Sequence, residues 1–177
     1  MSSNQRTASV PKPPALKVTT RVNERRPVDV HLVLPFEQRC RSRFRASLDS
    51  GDEVGVVLPR GQVLRDGDLM LVSDGRVVEI KAATEPVSTA RCEDQRLLAV
   101  AAYHLGNRHI ALQIGAGWLR YAHDYVLDDV VSALGLEVFI EHAPFEPETG
   151  AYRPHGDHQH HHPEQADEVD YDPGEGP

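Results

Sequence analysis

The sequence predicts an α+β protein in which a small all-β domain precedes a domain with two helices. Short apolar runs separated by turn residues fill residues 19–83. Within residues 84–152, strand-like runs alternate with two stretches whose apolar residues recur at helical spacing. Residues 1–18 and 153–177 are too polar and too rich in proline to fold alone, so we expect a disordered lead-in and a disordered tail.

The all-β prediction depends on four runs and on the turns between them. Asp-Gly pairs separate the runs, and such pairs favour tight hairpins. We therefore expect a small barrel or sandwich of β-strands. The runs are residues 28–37, 41–48, 53–59 and 69–80.

The second domain begins with a strand-like run at 84–92. Residues 93–105 follow with apolar side chains at helical spacing, and Gly106 and Asn107 are a natural helix stop. A hairpin is expected next, with a turn at Gly115 to Gly117.

A second helix completes the pattern. Asp124 is the predicted N-cap, Gly135 ends the helix, and residues 136–143 form the last strand. The order β-α-β-β-α-β is that of ferredoxin-like domains, in which both helices cover one face of a four-stranded sheet.

Composition and charge exclude several classes of protein. Cys40 and Cys92 lie far apart without CxxC spacing, which excludes a disulfide framework and a cysteine metal cluster. No signal peptide and no apolar run of membrane-spanning length is evident, so we expect a cytoplasmic protein with no membrane partner. The net charge of −8 lies from Glu146 onward, where nine acidic residues accompany only Arg153. The balanced remainder does not suggest nucleic acid as the main partner.

The tail is the first candidate site, because it holds five of the ten histidines. Imidazole is a good ligand for Zn, Cu, Fe and Ni, and a flexible His-rich segment can wrap a divalent ion without a preformed cavity. A purification tag is the alternative, but Asp157 and Gln159 interrupt the run and further residues follow it. The five are His155, His158, His160, His161 and His162.

His109 and His123 are candidates within the folded part. Alternation along a strand from His109 to Ile114 puts His109 on the face away from the helices. An ideal hairpin register would set His109 opposite His123 and Ile114 opposite Trp118, unless a bulge intervenes. From the pattern alone, an ordinary surface histidine remains an alternative for His109.

An arginine row is the third feature, since Arg39, Arg41, Arg43 and Arg45 alternate with uncharged residues on an expected strand. A solvated outer face that deters edge-to-edge aggregation is one interpretation. A docking strip for an acidic partner surface, or for RNA, is the other.

Catalysis has little support. The sequence has no Gly-rich phosphate loop, no GxSxG and no HExxH. Asp128 and Asp129 are neighbours on a helix, so their carboxylates point in different directions. We therefore expect a protein that is not an enzyme.

Four stretches precede the His-rich tail and are distinctive as a set: RSRFRASLDSGDEVGVVLPRGQVLRDGDLML, AYHLGNRHIALQI, LRYAHDYVLDDVVSALGLEV and APFEPETGAY. Together with the tail they resemble the UreE family of urease accessory nickel chaperones. The resemblance covers roughly residues 28 to 162. GNRH before a strand and PFEPExGAY before histidines are specific in combination.

The resemblance implies a partner-binding N-terminal domain and a homodimer formed through a metal-binding C-terminal domain. It implies that His109 meets its symmetry mate to hold Ni²⁺, and that the urease accessory GTPase and the urease apoprotein complex are the partners. His123 matches an auxiliary metal-binding histidine, but Tyr125 stands where some members have another histidine. Zn²⁺, Cu²⁺ or Co²⁺ would compete at such imidazole sites.

Two other functions stay open at the level of sequence. A general divalent-metal buffer or storage protein would use the tail as its main binder. An RNA-binding module would use the row from Arg39 to Arg45, and its affinity would fall steeply with salt.

Overall fold

The computed structural model describes residues 16–149, which form ten strands and three helices in two sheets. The first seven elements are β1 (Leu16–Val22), β2 (Val30–Leu34), α1 (Phe36–Arg39), β3 (Arg43–Ser47), β4 (Glu53–Val57), β5 (Leu69–Val72) and β6 (Val77–Ala82). The next six are β7 (Thr84–Arg91), α2 (Gln95–Gly106), β8 (Gln113–Gly115), β9 (Trp118–Ala122), α3 (Tyr125–Ala133) and β10 (Glu137–Pro144).

The N-terminal domain is one six-stranded mixed sheet with the order β2-β6-β5-β1-β4-β3. Antiparallel hairpins β3–β4 and β5–β6 use the Asp- and Gly-rich turns that predicted them. β1 joins these hairpins by pairing parallel with β4 and antiparallel with β5, and β2 adds a parallel edge strand beside β6. Thirteen buried aliphatic side chains, among them Leu32, Met70 and Ile80, form its core.

β1 corrects the predicted lead-in, because it begins at Leu16 rather than after residue 18. It lies between β4 and β5 near the middle of the sheet, and Val18 is fully buried. Val18 is the one buried residue of this strand. The segment therefore lacks the alternation by which a strand is detected in a sequence.

The C-terminal domain has the predicted element order and a four-stranded antiparallel sheet, β10-β7-β9-β8. The chain passes from the first sheet to the second at Ala83, between β6 and β7. Side chains of α2 and α3 pack with those of the sheet in one cluster that includes Leu98, Leu105, Leu119 and Val131.

The hairpin register differs from the predicted one. β8 is only three residues long, and Gly115 rather than Ile114 lies opposite Trp118. The turn is therefore Ala116 and Gly117, and Gly117 has a φ of 80°. Gly115 is required at its position because a Cβ there would lie 2.1 Å from the Trp118 indole. His109 consequently lies outside the strand and does not pair with His123.

The predicted arginine strand is also wrong at its start. Residues 36–39 form the short helix α1, and Arg39 on it is completely buried. Its guanidinium donates to the carbonyl oxygens of Leu34 and Leu64 and forms an ion pair with Glu146. The strand predicted from the sequence would have exposed the Arg39 side chain to solvent. Because residues 36–39 form a helix instead, this side chain points into the protein.

Residues 145–148, here called the C-terminal strap, run from β10 back across both domains. Phe145 is buried, with its ring 5.4 Å from that of Phe36 on α1. Arg39 and Arg65 of the first domain donate to the carbonyl oxygens of Phe145 and Pro147. The two sheets are therefore tied together through buried and charge-assisted contacts, which are stronger than neutral ones.

The strap also contacts the segment that precedes β8. The backbone N–H of Glu148 donates to the carbonyl oxygen of Leu112 at 2.7 Å, and that of Glu146 to the Gln113 side chain at 3.1 Å. The chain thus leaves the described region close to the segment that follows His109. Neither α2 nor any other helix within residues 16–149 has the length and apolarity needed to cross a bilayer.

Candidate functional site

His109 lies at the end of α2 in a left-handed turn. Its φ is 58°, the one positive φ at a residue other than glycine among residues 16–149. The backbone N–H of His109 donates to Gly106, and that of Ile110 donates to Leu105. This pair of hydrogen bonds defines a Schellman motif, with His109 at the position that usually holds glycine.

The turn presents the His109 side chain to solvent. The residue is exposed, and its ring makes no hydrogen bond or ion pair within the described residues. Leu105, one helical turn earlier, is fully buried and anchors the end of α2 in the core. A helix end anchored in the core therefore carries an imidazole whose two nitrogens are both available.

His123 differs from His109 because its ring is held in place. It lies between β9 and α3, where its backbone N–H donates to the carbonyl oxygen of Pro86. Its Nδ1 is 3.0 Å from the Ser88 hydroxyl oxygen and 3.2 Å from Oδ2 of Asp128. About one third of the side chain remains exposed.

Tyr121 completes this polar cluster beneath the start of α3. Its hydroxyl donates to Oδ1 of Asp128 at 2.8 Å. Burial, together with the neighbouring Asp128 carboxylate, raises the pKa of the Tyr121 phenol far above its usual value. Tyr121 therefore keeps its proton and remains a hydrogen-bond donor to Asp128.

The structure places the two predicted folded-site histidines on one cavity, although not as strand neighbours. A cleft of about 430 Å³ lies between the two domains, and both His109 and His123 line it. Phe36, Glu37 and Cys40 line it from the first domain. The Cys40 thiol is half-buried, and this burial raises its pKa above the ordinary value.

No three histidine, cysteine, aspartate or glutamate side chains among residues 16–149 are grouped closely enough to hold a metal ion. His109 and His123 could each contribute one imidazole nitrogen, a ligand that suits Ni²⁺ and Zn²⁺. A complete coordination shell would need ligands from elsewhere.

Asp124 and Tyr125 lie beside His123 and have distinct roles. Oδ1 of Asp124 accepts hydrogen bonds from the backbone N–H groups of Val126 and Leu127, so the predicted N-cap of α3 is confirmed. Tyr125 is three-quarters exposed. Two residues after His123 the chain therefore has a solvent-facing phenol and not an imidazole.

The four predicted docking arginines do not form one row. Arg39 is buried, and Arg41 lies beyond α1 and pairs with Glu37. Arg43 and Arg45 are exposed on β3, which is an edge strand. Only these two arginines share the expected face.

The five tail histidines, His155, His158, His160, His161 and His162, lie outside the described residues. Sequence reasoning missed the groups that hold His123, namely Ser88, Tyr121 and Asp128. The one sequence signal was Asp128 itself, an acidic residue in the first turn of α3 and five residues after His123.

Comparison with known families and proteins shows which family the chain belongs to. A profile described as "UreE urease accessory protein, N-terminal domain" matches residues 14–83, and one described as "UreE urease accessory protein, C-terminal domain" matches residues 85–169. The chain is 59% identical over 137 residues to a urease accessory protein UreE of Alkalilimnicola ehrlichii. The aligned region covers 77% of this chain and 84% of that relative.

Two further relatives carry the same name. A Pseudomonas putida protein is 52% identical over 137 residues, covering 77% of this chain and 85% of the relative. A Citrobacter koseri protein is 51% identical over 148 residues, covering 83% and 97%.

The two-domain architecture and the matched profiles define the class as the urease accessory proteins. Within that class, the chain belongs to the UreE family. The mostly β N-terminal domain and the mixed α/β C-terminal domain are the two domains of that family.

Proposed function

We propose that the protein is a nickel metallochaperone that captures Ni²⁺ and delivers it to the urease maturation complex in the cytoplasm. Membership of the UreE family supports a role in urease maturation, since its relatives are named urease accessory proteins. The partners would be the urease accessory GTPase and the urease apoprotein complex. Delivery by ligand exchange needs no catalytic residue, no nucleic acid and no membrane.

The observation that carries this proposal is the His109 turn. An exposed imidazole that makes no hydrogen bond or ion pair within the described residues stands on a helix end anchored by the buried Leu105. In a homodimer formed through the C-terminal domain, a twofold axis beside His109 would bring two such imidazoles together. Two ligands leave open coordination positions, which suits a carrier that must release its ion.

His123 would serve as an auxiliary ligand on the same cleft. One third of its side chain is exposed, and it lines the cavity together with His109. An ion passing between the two histidines would remain within one cavity. Tyr125 adds no imidazole, so we expect the auxiliary site to be weaker than His109.

The His-rich tail would collect ions through His155, His158, His160, His161 and His162. Zn²⁺, Cu²⁺ and Co²⁺ would compete there, because imidazole ligands are unselective. Binding requires neutral imidazole, so tail occupancy should fall as pH drops toward about 6.5.

The remaining parts have supporting roles in this proposal. The strand order β10-β7-β9-β8 with both helices in one core cluster supports a ferredoxin-like C-terminal domain. The N-terminal domain, predicted as residues 19–83 and extended to Leu16 by β1, would contact protein partners. Arg43 and Arg45 on its edge strand remain available to bind an acidic surface. Burial of Arg39 removes support from an RNA-binding row.

Replacement of His109 with alanine tests the central claim. Full-length His109→Ala should lose the dimer-shared nickel ion and should fail to activate urease at limiting nickel. The matched control is His142→Ala, which removes another exposed histidine of the same domain. Equilibrium dialysis with nickel analysis and a urease activation assay are the measurements. Unchanged nickel content and activation in His109→Ala would contradict the proposal.

Deletion of residues 154–177 separates delivery from storage. If the folded site performs transfer, the truncated protein should still activate urease at ample nickel and fall behind only when nickel is scarce. Loss of activation at every nickel concentration would instead make the tail the essential binder.

A further inference from the structure

Two different oxygen atoms lie near the same nitrogen of the His123 ring, one within hydrogen-bond geometry and the other at ion-pair distance. Nδ1 lies 3.0 Å from the hydroxyl oxygen of Ser88 and 3.2 Å from Oδ2 of Asp128. A neutral imidazole carries its proton on only one nitrogen, and a metal ion binds the other. The proton position therefore decides which atom of His123 can act as a ligand.

The Asp128 carboxylate favours a proton on Nδ1. A carboxylate is an acceptor only, so an Nδ1 lone pair directed toward Oδ2 would be repelled, whereas an Nδ1 proton would be attracted. Ser88 is compatible with this arrangement, because its hydroxyl can accept a hydrogen bond as well as donate one.

Asp128 itself is fixed by two hydrogen bonds and by burial. It sits in the first turn of α3, where its backbone N–H donates to the carbonyl oxygen of Asp124 at 2.9 Å. Its Oδ1 accepts from the buried Tyr121 hydroxyl. Only 15% of its side chain is exposed. The carboxylate therefore keeps its orientation toward His123.

We propose that Asp128 is a positioning residue that holds His123 with its proton on Nδ1 and leaves the Nε2 lone pair as the ligand atom. Carboxylates that orient a histidine in this way raise its basicity as a ligand and fix the ring. Tyr121 in turn orients Asp128. The assignment of the proton stands on the geometry alone, whereas the role toward metal rests on the proposed function.

Nitrogen-15 NMR of the histidine rings in the full-length, metal-free protein tests the proton position. At a pH where His123 is neutral, we expect a pyrrole-like signal from Nδ1 and a pyridine-like signal from Nε2. In Asp128→Asn the amide N–H can donate to Nδ1, so the proton should shift toward Nε2. Ser88→Ala is the matched control, and it should keep the wild-type pattern because Asp128 remains.

Titration with Zn²⁺, a diamagnetic probe, then tests the ligand role at this residue. In the wild type the Nε2 signal of His123 should respond to Zn²⁺. In Asp128→Asn the concentration that gives half of this response should rise about ten- to a hundredfold, the usual effect of removing an outer-shell partner. The response of His109 should not change between the two proteins.

The possible failures are distinct. A proton on Nε2 of His123 in the wild type would overturn the assignment. So would an unchanged proton position in Asp128→Asn together with a proton moved to Nε2 in Ser88→Ala. Neither outcome depends on how His109 responds to metal. A proton on Nδ1 with no response of His123 to Zn²⁺ would overturn its ligand role. Failure of His109→Ala to affect nickel transfer would count against the proposed function and would leave the proton position unchanged.

Discussion

The two long helices of the C-terminal domain end in the same way but with different residues. At the end of α2 the backbone N–H groups of His109 and Ile110 donate to Gly106 and Leu105 at 2.9 and 3.2 Å. At the end of α3 the corresponding bonds join Gly135 to Ser132 and Leu136 to Val131, at 2.9 and 3.4 Å. The left-handed residue has a φ of 58° in one case and 96° in the other.

The difference between the two helix ends is that the α2 end has a less stable backbone conformation and, in return, presents the His109 side chain. Glycine adopts a positive φ without strain, whereas a residue with a Cβ loses roughly 1–2 kcal/mol in that region. The α3 end uses glycine, and its turn serves only to begin β10. The α2 end places a histidine there, and strained positions of this kind cluster at functional sites. The comparison therefore supports a role for the imidazole of His109 itself.

The largest expected effect comes from removing the imidazole while relaxing the turn. His109→Gly should lose the nickel ion proposed at the twofold site and should abolish urease activation at limiting nickel. The helix end should remain folded, because glycine suits the left-handed position. Nickel analysis after dialysis and an activation assay provide the measurement. A nickel content equal to that of the wild type would show that the imidazole of His109 has no role as a ligand.

The next effect is on the α3 end. Gly135→Ala should lower the free energy of unfolding by about 1–2 kcal/mol, because alanine is strained at this φ. The added Cβ would lie 3.5 Å from Leu97, an ordinary contact, so the cost is that of the backbone. Urea denaturation followed by circular dichroism measures it, and nickel transfer should be unaffected in the folded protein.

His109→Gly should move stability in the opposite direction. We expect the free energy of unfolding to rise by about 0.5–1 kcal/mol, since relief of backbone strain exceeds the extra chain entropy of glycine. The same denaturation experiment applies, in the absence of metal. A clear loss of stability would mean that the His109 ring makes stabilising contacts.

The smallest effect is expected for His109→Asn. Asparagine tolerates the left-handed region well, so stability should stay within about 0.5 kcal/mol of the wild type. Nickel at the twofold site should nevertheless be lost. This variant distinguishes the effect of the backbone conformation from the effect of the ligand atom. Retained nickel would show that an amide can replace the imidazole.

Local signals predicted the C-terminal domain well. Asp124 caps α3, Gly135 ends it, and the helical spacing at residues 93–105 identified α2 to within two residues. The comparison of family profiles also agrees with the resemblance to UreE. These features depend on neighbours within a few residues along the chain, so a single sequence contains them.

Features that depend on distant contacts were not predictable. Arg39 is inward because Glu146, 107 residues later, supplies a carboxylate for it. The hairpin register depends on the fit of Trp118 over Gly115, which no turn rule includes. The polar cluster around His123 joins β7, β9 and α3 through Ser88, Tyr121 and Asp128. Only tertiary packing brings these side chains together.

The C-terminal strap has a consequence for local concentration. Because Glu148 is bonded to Leu112, the chain that follows is anchored three residues beyond His109. His155 lies seven residues after Glu148, so at about 3.5 Å per residue its backbone stays within about 25 Å of the anchor. One imidazole confined to such a sphere has an effective concentration on the order of tens of millimolar. If His155 binds an ion as proposed, that ion would meet the neighbourhood of His109 at a frequency set by the tether rather than by the concentration of the protein.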